Sequence, residues 1–418
     1  MSRAAAADDA HDYHIRVHDD PRSIARDEWN ALLATQAEPT LFMRHEYLAA
    51  LHESGSAVPR TGWTPHFVTL RARGDARGGL RAAAALYLKT HSYGEYVFDW
   101  SWAEAYRRHG LRYYPKLLGA VPFTPVPGTR LLATDDIWRD RLVAAVHAQA
   151  LDAGLSSAHV LFTDEADGGA FARAGWMIRH GVQFHWQAPP QAPQQHERDE
   201  PSGGGTAPVA FDAFLATLQR DKRKKIAQER RRVAEQGIVF TTHEGEAIDP
   251  TLWDFFHRCY TLTYRAHQST PYLTRAFFTA MASTMPAHWV LFVARRGDGS
   301  GRGEPLGCSL VAVDPERRIA YGRYWGALEY VPCLHFEACY YQPLAWCMAN
   351  GYRRFEGGAQ GEHKMARGLL PVRTSSAHWL RDARFASAVA DFLGDEAAHI
   401  DGYVDELRER NPFKAGGG

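Results

Sequence analysis

Cysteine is scarce and shows no pairing pattern. The chain has five, Cys259, Cys308, Cys333, Cys339 and Cys347, and no two form a Cys-x-x-Cys pair. That spacing argues against a disulfide framework, and no metal site is expected. Four of the five lie in apolar segments such as Leu344 to Met348, where a free thiol behaves as a small hydrophobe, so a reducing cytoplasm is the expected compartment. No apolar run approaches the roughly 18 residues that would suggest a membrane span. The start, Met1 to Ala10, lacks the basic region and apolar core of a secretory signal. Charge of one sign is missing too. Lys+Arg and Asp+Glu both total 48, which argues against a DNA-coating role and leaves electrostatic contact with tRNA or a membrane surface to local patches.

What is present is apolar matter for full-sized cores. With 418 residues, 45% of them hydrophobic and 23% charged, the chain suits two domains of about 180 to 210 residues. Between Gln187 and Ala210 the sequence turns to Pro, Gln, Gly and charge, a composition that buries little. The expected division is 1–187, a linker or insertion at 188–210, and 211–418. The first part reads as a strand at Tyr13 to His18, helices around Trp29 and Tyr47, and strands at His66 to Arg71, Leu80 to Lys89 and Tyr93 to Trp100. A helix over Ala103 to Leu118, another at Trp138 to Ala153, and strands at His159 to Phe162 and Trp176 to Trp186 follow.

The second part repeats that order. Its strands are Ile238 to Thr242, Trp289 to Ala294, Leu306 to Val313, Ile319 to Trp325 and Arg353 to Glu356. Its helices surround Trp253, span Thr274 to Ala282, and run from Pro332, as the first helical residue, to Asn350. Trp29 matches Trp253, Phe67-Val68 matches Phe292-Val293, and Tyr113-Tyr114-Pro115 matches Tyr340-Tyr341-Gln342-Pro343. The order is that of a duplicated acetyltransferase-type (GNAT-like) α/β fold, with mixed, mostly antiparallel sheets, flanking helices and a C-terminal helix. A sheet of that kind splays open where a parallel strand joins it. In the second domain the cleft is expected between Tyr321 to Trp325 and Arg353 to Glu356.

Three stretches carry a family resemblance. One is Phe98 to Ala103 with Tyr113 to Leu117 and Pro122 to Pro125. Another is Arg220 to Arg232 running into Gly237. The third is Leu334 to Gln342 with Phe355 to Lys364 and Arg367-Gly368. Together they resemble the bacterial predicted N-acyltransferases described as peptidoglycan biosynthesis or recognition proteins, similar to Fem-type peptidyltransferases. The resemblance covers nearly the whole chain and departs from the family pattern at the Pro/Gln/Gly insertion. It implies acyl or aminoacyl transfer to an amine, with an amine-bearing small molecule or cell-wall precursor as acceptor. A non-catalytic module that binds such a precursor or a protein is the alternative.

Transfer to an amine needs a base, donors for the oxyanion and an acid for the leaving group. Glu362 and His363 are first choices, presented by the turn Gly357 to Gly361, with Glu337 and Tyr341 also catalytic candidates. Arg323, His335, Gln342, Glu356, Gln360, Lys364 and Arg367 are expected to contact substrate, the last two holding an anionic group. Asp99, Trp100, Tyr113, Tyr114 and Lys116 occupy the equivalent region of the first domain. No bound cofactor is expected; acyl-CoA or aminoacyl-tRNA is the co-substrate. The segment Gly326 to Pro332 has one early glycine, a carboxylate and a proline where a pyrophosphate-cradling loop would need free backbone N–H groups, and this favours aminoacyl-tRNA or another activated donor. A basic helix docks through Phe211, Phe214, Leu215, Leu218, Ile226 and Val233. Lys222, Arg223, Lys225 and Arg230 on it are anion-binding candidates, facing tRNA, an anionic substrate or the inner face of a membrane.

Overall fold

The chain was examined as a computed structural model, which describes residues 12–73, 79–189, 206–297, 303–359 and 361–414. Gln360 and residues 190–205 of the expected linker lie outside the described residues. The chain divides into two units. Unit 1 comprises residues 1–181, 272–277 and 373–402; unit 2 comprises 182–271, 278–372 and 403–418.

In chain order unit 1 contains β1 (Tyr13–His18), α1 (Arg26–Ala34), α2 (His45–Glu53), β2 (Trp63–Pro65), β3 (Phe67–Ala72), β4 (Ala82–Ala84) and β5 (Leu86–Lys89). It continues with α3 (Trp100–Arg108), β6 (Lys116–Gly119), β7 (Leu131–Ala133), α4 (Asp136–Asp152), β8 (Ser157–Thr163) and α5 (Glu165–Arg173), and β9 (Met177–Gln187) carries the chain into unit 2. β1, β3, β4 and β7 form one antiparallel set. β2, β5 and β6 pair antiparallel, and β6 then runs parallel to β8. The three alanines of β4 are fully buried, leaving room for Trp138, Leu142, Val143 and Val146 of α4 in the same core as Leu70, Leu117 and Val160.

Unit 2 holds α6 (Thr206–Thr217), α7 (Arg220–Glu235), β10 (Ile238–Glu244), α8 (Pro250–Ala266), most of α9 (Arg275–Thr284), β11 (Trp289–Arg296), β12 (Glu304–Asp314) and β13 (Ile319–Ala327). After these come α10 (Leu334–Phe336), a π turn at Glu337–Tyr341, α11 (Gln342–Ala349) and β14 (Arg354–Glu356). β15 (Leu370–Leu380) and α12 (Ala383–Glu409) complete the chain. β10 to β13 form an antiparallel meander, β14 joins β13 in parallel, and residues 185–187 of β9 close that side. This is the acetyltransferase-type order expected from the sequence. Trp29 of α1 and Trp253 of α8 are both buried in the first α-helix after β1 and β10, and Phe67 and Phe292 pair with those two strands.

The third repeat marker fails. Residues 93–98 form no strand, and the helix expected over Ala103 to Leu118 is α3, ending at Arg108; Lys116 already lies in β6. Gly110, at φ +70°, takes the left-handed position that ends α3, and Pro115 biases Tyr114 toward extended backbone. Tyr113-Tyr114-Pro115 therefore precedes a strand, whereas Tyr340 and Tyr341 sit within a helix. The single basic helix is also two. α6 and α7 break at Leu218-Gln219, where Leu218 bridges to Phe413 and the Gln219 N–H donates to the Pro412 carbonyl at 2.8 Å. Pro332 is not the first helical residue, because Cys333 takes φ +67° and α10 begins after it.

Candidate functional site

The parallel pairing of β13 with β14 stops at Tyr321 opposite Glu356. Beyond it the strands part. Gly358, at φ +84°, turns the chain away, and a Cβ on Gly357 would sit 2.6 Å from Leu369, so the divergence depends on glycine at both places. The β12–β13 ladder shifts register between Leu310 and Val311, leaving Arg323 as the extra residue on β13. A cavity of about 160 Å³ lies here. Arg323, Tyr324 and Trp325 wall it on one side, Gly357 and Gly358 on another, and His335, Cys339 and Tyr340 come from the crossover helix made of α10, the π turn and α11, residues 334–349. A second hollow of about 300 Å³ shares Trp325 and His335 with it.

The π turn decides which side chains reach the cavity. Pro343 has no N–H to donate to the preceding turn, and its ring crowds the carbonyl four residues back, so the helix widens just before it. His335, Cys339 and Tyr340 face the cavity. Glu337 and Tyr341 meet α7 instead. The Glu337 carboxylate accepts from Arg230 Nε at 3.2 and 3.3 Å and from Gln342 Nε2 at 2.7 Å. Glu229 accepts from the Tyr341 hydroxyl and from Arg367 Nη2 at 3.1 and 2.9 Å. Arg367 also donates to the His363 carbonyl at 2.7 Å and lies 3.7 Å over the Phe336 ring. It thereby ties α7, the crossover helix and the His363 segment together.

His363 folds back so that its Nε2 lies 3.1 Å from the Tyr340 hydroxyl. Gly361, at φ +122°, makes this possible: a Cβ there would meet the His363 ring at 2.4 Å. Burial lowers the His363 pKa, with Arg367 and Lys364 adding to the effect. Burial likewise pulls His335 down to about 4, so both imidazoles are neutral at pH 7. The Tyr340 hydroxyl is held protonated by burial. Burial raises Glu337 despite the opposing Arg230 charge. Lys364 is lowered to about 8 by burial, and its Nζ donates to the Gly358 carbonyl at 3.1 Å.

The remaining candidates are elsewhere. Glu362 accepts from the Tyr403 hydroxyl at 2.7 Å and pairs with Arg410, half exposed and absent from the cavity wall. Glu356 is buried against Arg354, with His185 Nε2 at 3.9 Å. On α7, Lys222 pairs with Asp221, Lys225 is exposed, Arg223 is half-buried and Arg230 is committed to Glu337.

In unit 1 the structure joins Asp99, Tyr113 and Lys116 in one buried cluster. Lys116 Nζ donates to Glu95 at 2.7 Å, to Ser92 at 2.8 Å and to Asp99. The Tyr113 hydroxyl donates to Asp99 at 2.7 Å and meets His159 Nε2 at 3.1 Å, and the far side of His159 contacts His378. Tyr114 reaches the cluster through Ser92, while Trp100 is partly exposed at the start of α3. Burial raises Glu95 to about 7 against the opposing Lys116 charge, and pulls His159 down to about 3. Sequence reading missed Ser92, Glu95, His159, His378 and, in unit 2, Glu229. Each lies far along the chain from its partners and no local motif marks it.

In unit 1 the corresponding strand parting is crossed by the chain itself. The parallel β6–β8 pairing ends at Gly119 and Val160, and the chain between β6 and β7 occupies the gap. Gly128 N–H donates to the Phe162 carbonyl at 3.0 Å and Arg130 Nε to the Leu161 carbonyl at 3.0 Å. Arg130 N–H donates to Asp167 at 2.6 Å, and Arg139 Nε to the same carboxylate at 3.1 Å.

Strand order and cleft define an acetyltransferase-type α/β protein. The chain belongs to the FemAB-like family, described as peptidoglycan biosynthesis/recognition, whose family model matches residues 20–415. Among solved structures it is similar to L-PGS from Bacillus licheniformis (9% identity, 88% of this chain and 94% of that one, TM-score 0.48). Two others are the C-terminal domain of a putative lysylphosphatidylglycerol synthetase from Agrobacterium fabrum (12%, 73% and 84%, TM-score 0.44) and a tandem GNAT protein from the clavulanic acid biosynthesis pathway (10%, 88% and 98%, TM-score 0.44). Likeness at this level assigns no activity. No curated protein matches the chain. Among the described residues no helix is long and apolar enough to cross a membrane, and no group of three His, Cys, Asp or Glu is placed to hold a metal ion.

Proposed function

We propose that unit 2 transfers an acyl or aminoacyl group to an amine in the cavity between β13 and β14. The observation that carries this is the opening at the strand parting, walled by His335 and Tyr340, with His363 on the Tyr340 hydroxyl. As the amine nitrogen attacks the carbonyl, it must lose one proton, and the leaving group must gain one. Neutral His335 accepts the proton the amine loses, Tyr340 donates its own to the leaving group, and the proton held on His335 passes back through solvent to Tyr340, while His363 orients the Tyr340 hydroxyl. Arg323 supplies positive charge toward the developing oxyanion. Glu337, Tyr341, Gln342 and Arg367 hold the crossover helix and the His363 segment in place. Glu362, occupied by Tyr403 and Arg410, is given no chemical step.

An amine-bearing cell-wall precursor is the acceptor class in keeping with the family description. On the donor side, Glu329 is paired with Arg296, Pro332 lacks an N–H, and the Leu334 N–H is taken by the Val331 carbonyl at 3.2 Å. The start of the crossover helix thus has little to offer a pyrophosphate, which favours aminoacyl-tRNA over acyl-CoA as the co-substrate.

The test is product formation, followed by mass spectrometry, with each donor and a panel of amine acceptors. Tyr340→Phe is expected to lower turnover about 100-fold or more while leaving the folded state intact. Wild-type turnover in Tyr340→Phe and in His363→Ala would remove the proposed proton path. Acyl product from acetyl-CoA but not from aminoacyl-tRNA would reverse the donor preference.

A further inference from the structure

Unit 1 carries a cavity of about 500 Å³ that the transfer reaction does not use. Tyr106 of α3, Arg112, Tyr114 and Pro115 form one side, and Ser156, Arg381 and Asp382 contribute to the other. Its volume is that of a small-molecule site.

Its polar groups are unevenly matched. Asp382 is already neutralised: Arg384 grips both its oxygens, at 3.2 Å from Nε and 2.8 Å from Nη2. Among the described residues Arg381 has no carboxylate partner, and its side chain donates to the Leu151 carbonyl at 3.4 Å. Arg112 is exposed and makes no ion pair among the described residues. The Tyr106 hydroxyl is the more telling group. The residue is 3% exposed and its oxygen is buried, yet it has no hydrogen-bond partner among the described residues. A buried hydroxyl left so is costly, and native proteins seldom leave one without a use. Burial, with Asp382 adding to it, pushes its pKa to about 12, so it remains a donor. Two guanidiniums without carboxylate partners among the described residues therefore line a single hollow, with Tyr106 in its wall. The ring of Tyr114 and the pyrrolidine of Pro115 give it a flat apolar wall.

We infer that this cavity binds a small anion, a phosphate ester or a carboxylate joined to a flat apolar group, gripped by Arg112 and Arg381 with Tyr106 donating to it. The site is separate from the transfer cavity and stands or falls without it.

Calorimetric titration of the full chain with phenyl phosphate and with benzoate tests the inference, with benzylamine as the cationic control. Saturable binding of at least one anion and none of benzylamine is expected. Phenyl phosphate should bind more tightly than inorganic phosphate because of the flat wall. The double variant Arg112→Ala/Arg381→Ala, both changes at cavity-wall arginines without carboxylate partners, should weaken binding about 10-fold or more, the scale of losing charge-assisted hydrogen bonds. Tyr106→Phe should weaken it by a smaller factor. Arg173→Ala, at an exposed arginine paired with Asp140 outside the cavity wall, should leave it unchanged. No saturable binding of either anion, equal affinity in the double arginine variant, or an equal loss in Arg173→Ala would each overturn the site.

Discussion

Replacing Arg367 by methionine removes the centre of the unit 2 scaffold while keeping an apolar stem against Phe336. The side chain is 2% exposed and Glu229, its partner, 8%. Without Arg367 the Glu229 carboxylate keeps, among the described residues, the Tyr341 hydroxyl alone, and the His363 carbonyl loses the Arg367 donor. Stranding one member of a buried pair costs about 3 to 5 kcal/mol, and that is the destabilisation expected in a urea titration followed by tryptophan fluorescence. Glu229→Gln keeps an acceptor for Tyr341 and removes the buried charge. The double variant Arg367→Met/Glu229→Gln should therefore recover about 1 to 3 kcal/mol relative to Arg367→Met alone, a coupling that a double-mutant cycle isolates. At temperatures where Arg367→Met is still folded, its transfer rate should fall with that of His363→Ala. A loss below about 1 kcal/mol, or no recovery in the double variant, would refute the view that Glu229 and Arg367 hold the site together.

Acid should weaken the protein, because the buried histidines outnumber the raised carboxylates of Glu95 and Asp167, which act in the opposite direction. His159 and His185 are pulled down to about 3 and His335 to about 4, all chiefly by burial. Their folded pKa values lie below the unfolded value near 6.5, so the unfolded chain binds these protons first. Stability is whole above about pH 6.5 and falls between about 6.5 and 4, each such histidine adding up to about 1.4 kcal/mol per pH unit; a flat stability profile across that window would contradict their neutral burial. Gly361→Ala places a methyl against the His363 ring at a φ of +122° that an L-residue resists, so turnover should drop and the melting temperature fall with it, and an unchanged rate would show that the His363 pose is dispensable. Removing charge at Lys222, Lys224, Lys225, Arg231 and Arg232 should flatten the salt dependence of tRNA or vesicle binding, measured by filter retention and sedimentation; an unaltered slope would make α7 a solvated face.

How much of this was legible depended on whether the signal was local. β1, α4, β8, β9 and the strands of unit 2 announce themselves through apolar periodicity, and the cleft between Tyr321 and Glu356 followed from the order of elements. The strand expected at Tyr93 to Trp100 failed because its alternation of aromatic and polar residues does not reflect strand pairing: Glu95 and Asp99 are drawn inward by Lys116, and Tyr93 and Phe98 are left exposed. Tyr113-Tyr114-Pro115 and Tyr340-Tyr341-Gln342-Pro343 look alike as letters. Gly110 ends a helix just before the first, and a π turn absorbs the proline of the second.

For the site, residue type was legible and partnership was not. The run Gly357 to Lys364 stood out by composition, yet nothing local distinguishes Glu362, which turns to Tyr403 and Arg410, from His363, which turns to Tyr340. The basic run of α7 read as a cationic ridge, while two of its members, Glu229 and Arg230, are spent on Arg367 and Glu337 across more than 100 residues of sequence.

The sequence by itself determined most of the secondary elements, the place where one sheet parts and the family, because these rest on apolar period, turn residues and motif spacing, all readable along the chain; α5, β15 and the course of residues 93–115 were not among them. Only the tertiary structure decided which charges meet, that the gap in unit 1 is filled by its own chain, and which face of the crossover helix looks into the cavity. Those outcomes depend on burial and on pairing between distant residues, and a buried group's protonation and partner are set by what surrounds it in space.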